Sequence, residues 1–178
     1  MRIFSILLIL LFTFSCKEES IDMPVIGNRN ESFNIIKLNP AILISRSGED
    51  SLDINSDGSF DIKFIRSPIP LTYGYGSKTN ILIKNGLQIA LSNINNYPDT
   101  LSIKAVIDDN LNWSIGEPLK LVLQSYNCGM TMTGCQGIAN FINVSDKYIG
   151  FKNGNKFGWI KVDNTEWDLT IKEYTVLK

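Results

Sequence analysis

Asp53, Asn55, Asp57 and Asp61 are the residues of this chain whose types and spacing could do chemistry. They lie in SLDINSDGSFDIKF, residues 51–64, where oxygen-bearing side chains take every second position until Gly58 breaks the rhythm. A hard cation such as Ca2+ takes about 6–8 oxygen ligands. Alternate side chains of a tightly curling loop point inward, and Gly58 permits the sharp turn. The expected ligands are Asp53, Asn55, Asp57, the backbone carbonyl of Ser59, and Asp61, holding one structural calcium ion. Without a cation, these carboxylates would crowd one another, with Glu49 and Asp50 adjacent. The rival reading needs no metal: Asp57-Gly58 is a favoured turn pair and the other acids are solvated. Both readings stand at the level of sequence.

Other chemistry is sparse. The 178 residues include no histidine, which removes Ser-His-Asp and Cys-His catalysis and every histidine metal ligand. The neighbours Asp108-Asp109 fit a turn rather than a glycosidase pair, because adjacent residues do not converge on one bond. The chain is therefore expected not to be an enzyme. Its net charge is −1 and its basic residues do not cluster, so nucleic acid is not an expected partner.

These residues must be delivered somewhere, and the N-terminus reads as an address. MRIFSILLILLFTFSC opens with Arg2, runs apolar from Ile3 to Phe14 with two polar interruptions, and ends in Ser15-Cys16. Twelve residues span about 18 Å as a helix, too little for a bilayer core of about 30 Å. This is the apolar core of a signal peptide. A cysteine after a small residue at its end resembles the bacterial lipoprotein signal, with Thr13 where that signal usually has leucine. The resemblance implies cleavage before Cys16, lipidation of Cys16 and a membrane partner through the lipid anchor. Lys17-Glu18-Glu19 resembles the surface-export signal of Bacteroidota lipoproteins, which implies an outer-membrane protein exposed at the cell surface. The expected organisation is a signal peptide at 1–15, a lipidated cysteine and flexible tether at 16–32, and one domain at 33–178. Without Arg2, the mature chain carries 16 basic against 18 acidic residues and has no polybasic patch.

Cys128 and Cys135 remain, in NCGMTMTGCQG. In an oxidising compartment they are expected to pair as a disulfide, with Gly129 and Gly134 easing the closure. The chain-entropy model gives such a small loop about 2.5 kcal/mol. A two-cysteine metal site lacks further soft ligands nearby. Met130 and Met132 serve as packing filler or as part of a contact surface.

Short apolar runs separated by turn clusters follow the tether. Strands are predicted at 41–45, 60–66, 80–84, 87–92, 101–107, 119–125, 138–144, 148–152, 157–162 and 167–176. Phe60, Ile62 and Phe64 would share one face. Lys84-Asn85-Gly86 and Asn153-Gly154 are predicted hairpin turns. The expected fold is all-β, an antiparallel two-sheet β-sandwich of jelly-roll-like kind.

KYIGFKNGNKFGWIKV, closed by LTIKEYTV, resembles the end of a group of uncharacterised secreted bacterial β-sandwich proteins. That group often carries an Asp-x-Asn-x-Asp-Gly-x-x-Asp loop and a mid-chain Gly-acidic step, here Gly116-Glu117. The resemblance implies fold and no catalytic residue. The loop itself resembles the first half of an EF-hand loop and the calcium loops of repeat β-propellers. Phe64 stands where an EF-hand has a bidentate glutamate and the flank reads as strand, so a strand-loop-strand calcium loop is implied. Tyr73 and Tyr75, in a Pro- and Gly-rich stretch, are candidate ligand contacts that could stack on sugar rings or pack on the sandwich edge. Trp159 and Trp167 are expected in the core, and Trp113 is ambiguous. Asp50-Ser51-Leu52 and Asp99-Thr100-Leu101 fit a short Bacteroidota O-glycosylation sequon. The functional expectation is a non-enzymatic binding or envelope lipoprotein whose partner is a glycan or an envelope protein. The alternatives are a carbohydrate-binding accessory of a glycan uptake system and a carboxylate-based glycan hydrolase.

Overall fold

The computed structural model describes residues 25–26, 34–70, 75–84, 86–114, 118–126 and 137–176. Its strands are β1 (Asn34–Ile44), β2 (Gly48–Leu52), β3 (Ile62–Pro70), β4 (Tyr75–Ile83), β5 (Gln88–Leu91), β6 (Asn112–Trp113), β7 (Leu119–Tyr126), β8 (Gly137–Ile138), β9 (Val144–Asn153), β10 (Lys156–Asn164) and β11 (Leu169–Val176). They form a six-stranded sheet in the order β1-β11-β10-β9-β5-β6 and a five-stranded sheet in the order β2-β3-β4-β7-β8. Every pairing is antiparallel. The expected all-β two-sheet sandwich is the observed fold.

Alternation builds the core between the sheets. Ile62, Phe64 and Arg66 of β3, and Ile81 and Ile83 of β4, turn inward from the five-stranded sheet. Ile149 and Phe151 of β9, Ile160 and Val162 of β10, and Ile171 of β11 meet them from the other. Burying such side chains contributes about 1.5–3 kcal/mol each against leaving them in water.

A second apolar cluster is formed by Ile26, Leu101, Ile107, Tyr148, Phe157 and Trp159, packed with Trp113 and Ile35. Tyr148 meets Trp159 edge-on at 5.2 Å. Tyr148, Phe157 and Trp159 lie one residue out of step with the inward positions of β9 and β10, and so on the sheet's other face. The connection between β5 and β6 covers them. A side chain at Gly150 would meet Leu101 Cδ1 at 2.9 Å, and one at Gly158 would need the space of the Phe151 ring and Thr175 Oγ1. The aromatic-Gly pattern of KYIGFKNGNKFGW is thus a packing device: the glycines let one layer close over each face of the sheet.

Several expectations are corrected. Residues 101–107 are no strand; they are a cover held by bridges from Leu101 to Tyr148 and from Val106 to Val25. Within 138–144, only Ile138 and Val144 belong to strands, and Phe141 between them is fully buried. Lys84 and Leu87 do close a turn, at 3.0 Å, with Gly86 at φ 74°. That turn carries the chain from one sheet to the other rather than forming a hairpin. Between β9 and β10 the chain does form a hairpin, with Gly154 at φ 57°. The polar strand β2 carries too little apolar pattern to announce itself. Inside the stretch read as tether, Ile26 is fully buried. Its N–H donates to Ala105 O at 3.0 Å and its carbonyl accepts from Lys104 N–H at 2.8 Å.

Candidate functional site

The acidic loop, residues 53–61, joins β2 to β3. Leu52 pairs with Ile62, and Asp61 N–H donates to Leu52 O at 2.9 Å, so the loop leaves and re-enters the sheet at one point. Ile54, fully buried, pins its first turn to the core.

The side chains fold back on the loop's own amides. Asp53 Oδ1 accepts from Asp57 N–H at 3.2 Å, and its Oδ2 from Gly58 N–H at 2.8 Å. Asn55 Oδ1 accepts from Asp57 N–H at 2.9 Å, while its Nδ2 donates to Asp57 Oδ2 at 3.0 Å. Asp57 Oδ1 accepts from Ser59 N–H at 2.7 Å. Ser56 at φ 61° and Gly58 at φ 86° supply the curl. A side chain at Gly58 would meet nothing within 4 Å, so glycine is required there by conformation and not by space.

This arrangement answers the crowding argument. The Ser59 N–H and then the Asn55 side chain hold the Asp57 carboxyl below its ordinary value, whereas like-charge crowding would raise it. Glu49 is matched by Lys63 at 2.6 Å, and Asp50 Oδ1 accepts from Ser51 N–H at 2.7 Å.

Asp61 stands apart from the other acids. It is 1% exposed, and its Oδ2 accepts from Ile54 N–H at 2.8 Å and Asn55 N–H at 3.1 Å. It braces the loop from beneath. Among the described residues, no three Asp, Glu, His or Cys side chains are grouped to hold a metal ion. The donor set is nonetheless oxygen-only, as calcium requires, with Asp53, Asn55 and Asp57 curled around one short backbone stretch.

Cys16, Tyr73, Gly116, Glu117, Cys128, Cys135, Met130 and Met132 lie outside the described residues. Leu123 pairs with Ile138 and Gln124 with Gly137, so both cysteines fall in the connection between two paired strands. Tyr75 opens β4, its backbone paired with Pro70 and Tyr126. Asp108 accepts from Asn110 N–H at 2.9 Å, and Asp109 pairs with Lys152 at 2.8 Å. Ser51 is exposed on β2. Trp113 is half-buried, 6.0 Å from Phe157, with Lys152 over its ring.

Trp159 is core, as expected, but Trp167 is not. It sits on the turn between β10 and β11, 47% exposed, with the Arg46 guanidinium 5.6 Å from its ring centroid. Thr165 Oγ1 accepts from Trp167 N–H at 3.2 Å and from Asp168 N–H at 3.1 Å, which fixes that turn.

Sequence reasoning missed Arg66. It is 2% exposed in the inward register of Ile62 and Phe64, and that register was the available signal. Its guanidinium donates to Asn164 Oδ1, Thr79 Oγ1, Ser77 Oγ, and the carbonyls of Thr165 and Glu166. Comparison of the chain with protein-family models, curated proteins and solved structures returned no match.

Proposed function

We propose that this chain is a surface lipoprotein of a bacterial outer membrane: a β-sandwich anchored through Cys16 and working as a non-enzymatic binding or envelope module. The observation that carries the reading is the N-terminal sequence, in which Arg2, an apolar run and Ser15-Cys16-Lys17-Glu18-Glu19 follow in order. A fold that opens a few residues later, at Val25, suits a short stand-off from a membrane. Cys128 and Cys135 form a disulfide in this reading, and their place between paired strands supports it. Ca2+, where bound, is held by Asp53, Asn55, Asp57 and the Ser59 carbonyl above the buried Asp61, and it supplies loop cohesion rather than reactivity.

The test is intact mass of the N-terminal peptide after expression of the full chain in a Gram-negative host. The expected result is a chain beginning at acylated Cys16 in the membrane fraction, with Cys16→Ala released from it. A free thiol at Cys16 in the mature chain would overturn the reading.

Trp167 favours a second reading, a glycan-binding accessory. A half-exposed indole beside a guanidinium, on a turn fixed by hydrogen bonds, can stack on a sugar ring. Glycan-array binding lost in Trp167→Ala supports this reading, and a blank array removes it.

A further inference from the structure

We propose that the turn bearing Ile103 and Val106 is the surface this protein lays on a phospholipid bilayer, and that docked Val25 and Ile26 point it there. The inference rests on the reading that Cys16 carries the lipid anchor.

The chain coming from Cys16 meets the fold at this turn. Val25 bridges Val106, Ile26 N–H donates to Ala105 O at 3.0 Å, and Lys104 N–H donates to Ile26 O at 2.8 Å. Ile26 is fully buried in the cluster with Leu101, Ile107 and Trp159. Nine peptide units separate Cys16 from Val25, so whatever their path the reach is capped at about 30 Å. A domain of this size has a radius of gyration of about 15 Å, and a path around to its opposite face measures about 60 Å. The outer face of the five-stranded sheet therefore cannot rest on the bilayer that holds Cys16. The side bearing residues 101–107 can.

That side has suitable chemistry. Ile103 is 62% and Val106 46% exposed. Ile103 sits at the tip of a turn closed by Ala105 N–H to Ser102 O at 3.0 Å, with Lys104 at φ 70°. Leu101 and Tyr148 exchange two hydrogen bonds of 3.0 Å just before it. The apolar tips are thus held in place before any contact, and insertion orders little that is not already ordered. Lys104 is exposed between them, and Lys147 Nζ lies 3.0 Å from Ser102 Oγ, so two cations stand at headgroup depth. Asp108 and Asp109 lie on the same connection, Asp109 paired with Lys152 at 2.8 Å. Apolar contact rather than charge is therefore the main attraction. Two small side chains bind a bilayer weakly alone, but the anchor makes the encounter intramolecular.

The experiment is hydroxyl-radical footprinting of the lipidated full chain in phosphatidylcholine vesicles, beside the Cys16→Ala chain in solution. Ile65 and Leu82 on the five-stranded sheet serve as reference positions. Labelling of Ile103 and Val106 should fall several-fold on vesicles while the reference positions stay unchanged. Ile26→Ala should restore part of that labelling without releasing the chain from the vesicles. Equal labelling of Ile103 and Val106 in both states, with acylation of Cys16 verified by mass, overturns the orientation and leaves the anchor standing. An unmodified Cys16 overturns both.

Discussion

The guanidinium of Arg66 on β3 reaches the side-chain oxygen of Asn164 at the end of β10 at 2.7 Å, across the two sheets and 98 residues of chain. The same group donates to the carbonyls of Thr165 at 3.1 Å and Glu166 at 2.9 Å, and so ties the β10–β11 turn to the opposite sheet. A buried cation is tolerated where its donors meet many oxygens, and removing it leaves the buried acceptors of Asn164, Thr79 and Ser77 without this donor. We expect Arg66→Ala to cost about 1–3 kcal/mol for each buried acceptor left without a donor, read as a lower urea midpoint with an unchanged slope. Arg66→Met, which keeps the volume, should cost less. Near-equal stability of Arg66→Ala and the parent would show that the clamp contributes nothing.

Ile26 should matter as much as a core residue. Its complete burial predicts a loss of about 2–5 kcal/mol in Ile26→Ala. A chain beginning at residue 24 should therefore melt well above one beginning at residue 33, although the second keeps every strand. Matching melting temperatures would show that the second cluster closes without its N-terminal member.

Two glycines separate space from conformation. Gly158→Ala forces the Phe151 ring and Thr175 Oγ1 aside, and Thr175 Oγ1 is already bound to Trp159 N–H at 2.9 Å. Overpacking of this kind costs about 1–3 kcal/mol. Gly154→Ala meets nothing within 4 Å and carries only the strain of φ 57°, about 1–2 kcal/mol. Thermal melts of the two variants should rank in that order, and heating Gly158→Ala should expose Trp159 fluorescence to quencher earlier.

The ion-pair group on β9–β11 sets a pH dependence at both ends. Asp146 accepts from Lys172 at 2.9 Å and Lys161 at 3.1 Å, and Lys172 also reaches Asp163 at 2.6 Å. Hydrogen bonds from Lys172 and then Lys161 depress the Asp146 carboxyl, so its contribution is present above the ordinary value of 3.8 and is lost as pH falls through the folded value. Burial alone would lower Lys161 and Lys172. Their bonds to Asp146 and Asp163 outweigh it, and both are raised above 10.5, so their contribution is present below that value and is lost as pH rises through the folded ones. These groups are partly exposed, and Asp146→Asn should cost under about 1 kcal/mol at neutral pH. Chemical denaturation should show that difference closing in acid and in molar salt. A difference independent of both would mean that the asparagine disturbs packing and not charge.

The sandwich was legible because its core strands alternate: Ile62, Phe64, Ile81, Phe151, Ile160 and Ile171 each sit beside a polar residue. Residues 101–107 alternate too, yet they cover aromatics rather than joining a sheet, and a half-buried cover has the same period as a half-buried strand. Gly48–Leu52 was missed because an edge strand such as GEDSL is kept polar against unwanted pairing. Trp167 reads as core by residue type, but a turn presents it to solvent, and turn placement is not written in hydrophobicity. Ile26 ends the short run Met23-Pro24-Val25-Ile26 between polar stretches, with its partner almost eighty residues away at Ala105. At the acidic loop, spacing identified the residues that curl together. It could not show Asp61 turning beneath the loop, because that depends on where the amides of Ile54 and Asn55 point.

Calcium and Asp61 can be told apart by paired variants. Asp53 and Asp57 already accept loop N–H groups, so a cation adds to a formed loop rather than creating it. Affinity is then expected in the weak extracellular class, about 10⁻⁴–10⁻³ M. Millimolar Ca2+ should raise the melting temperature of the parent and leave Asp57→Ala unmoved. Asp61→Ala behaves differently: it leaves the buried Ile54 N–H and the Asn55 N–H without their acceptor, at about 1–3 kcal/mol for each lost partner, with or without Ca2+. A parent melt indifferent to Ca2+, with Asp61→Ala still strongly destabilised, would make SLDINSDGSFDIKF a self-satisfied polar turn. In that case the loop is a polar turn between β2 and β3 braced by Asp61, and a ligand should be sought on the Trp167 turn at the Arg66 clamp.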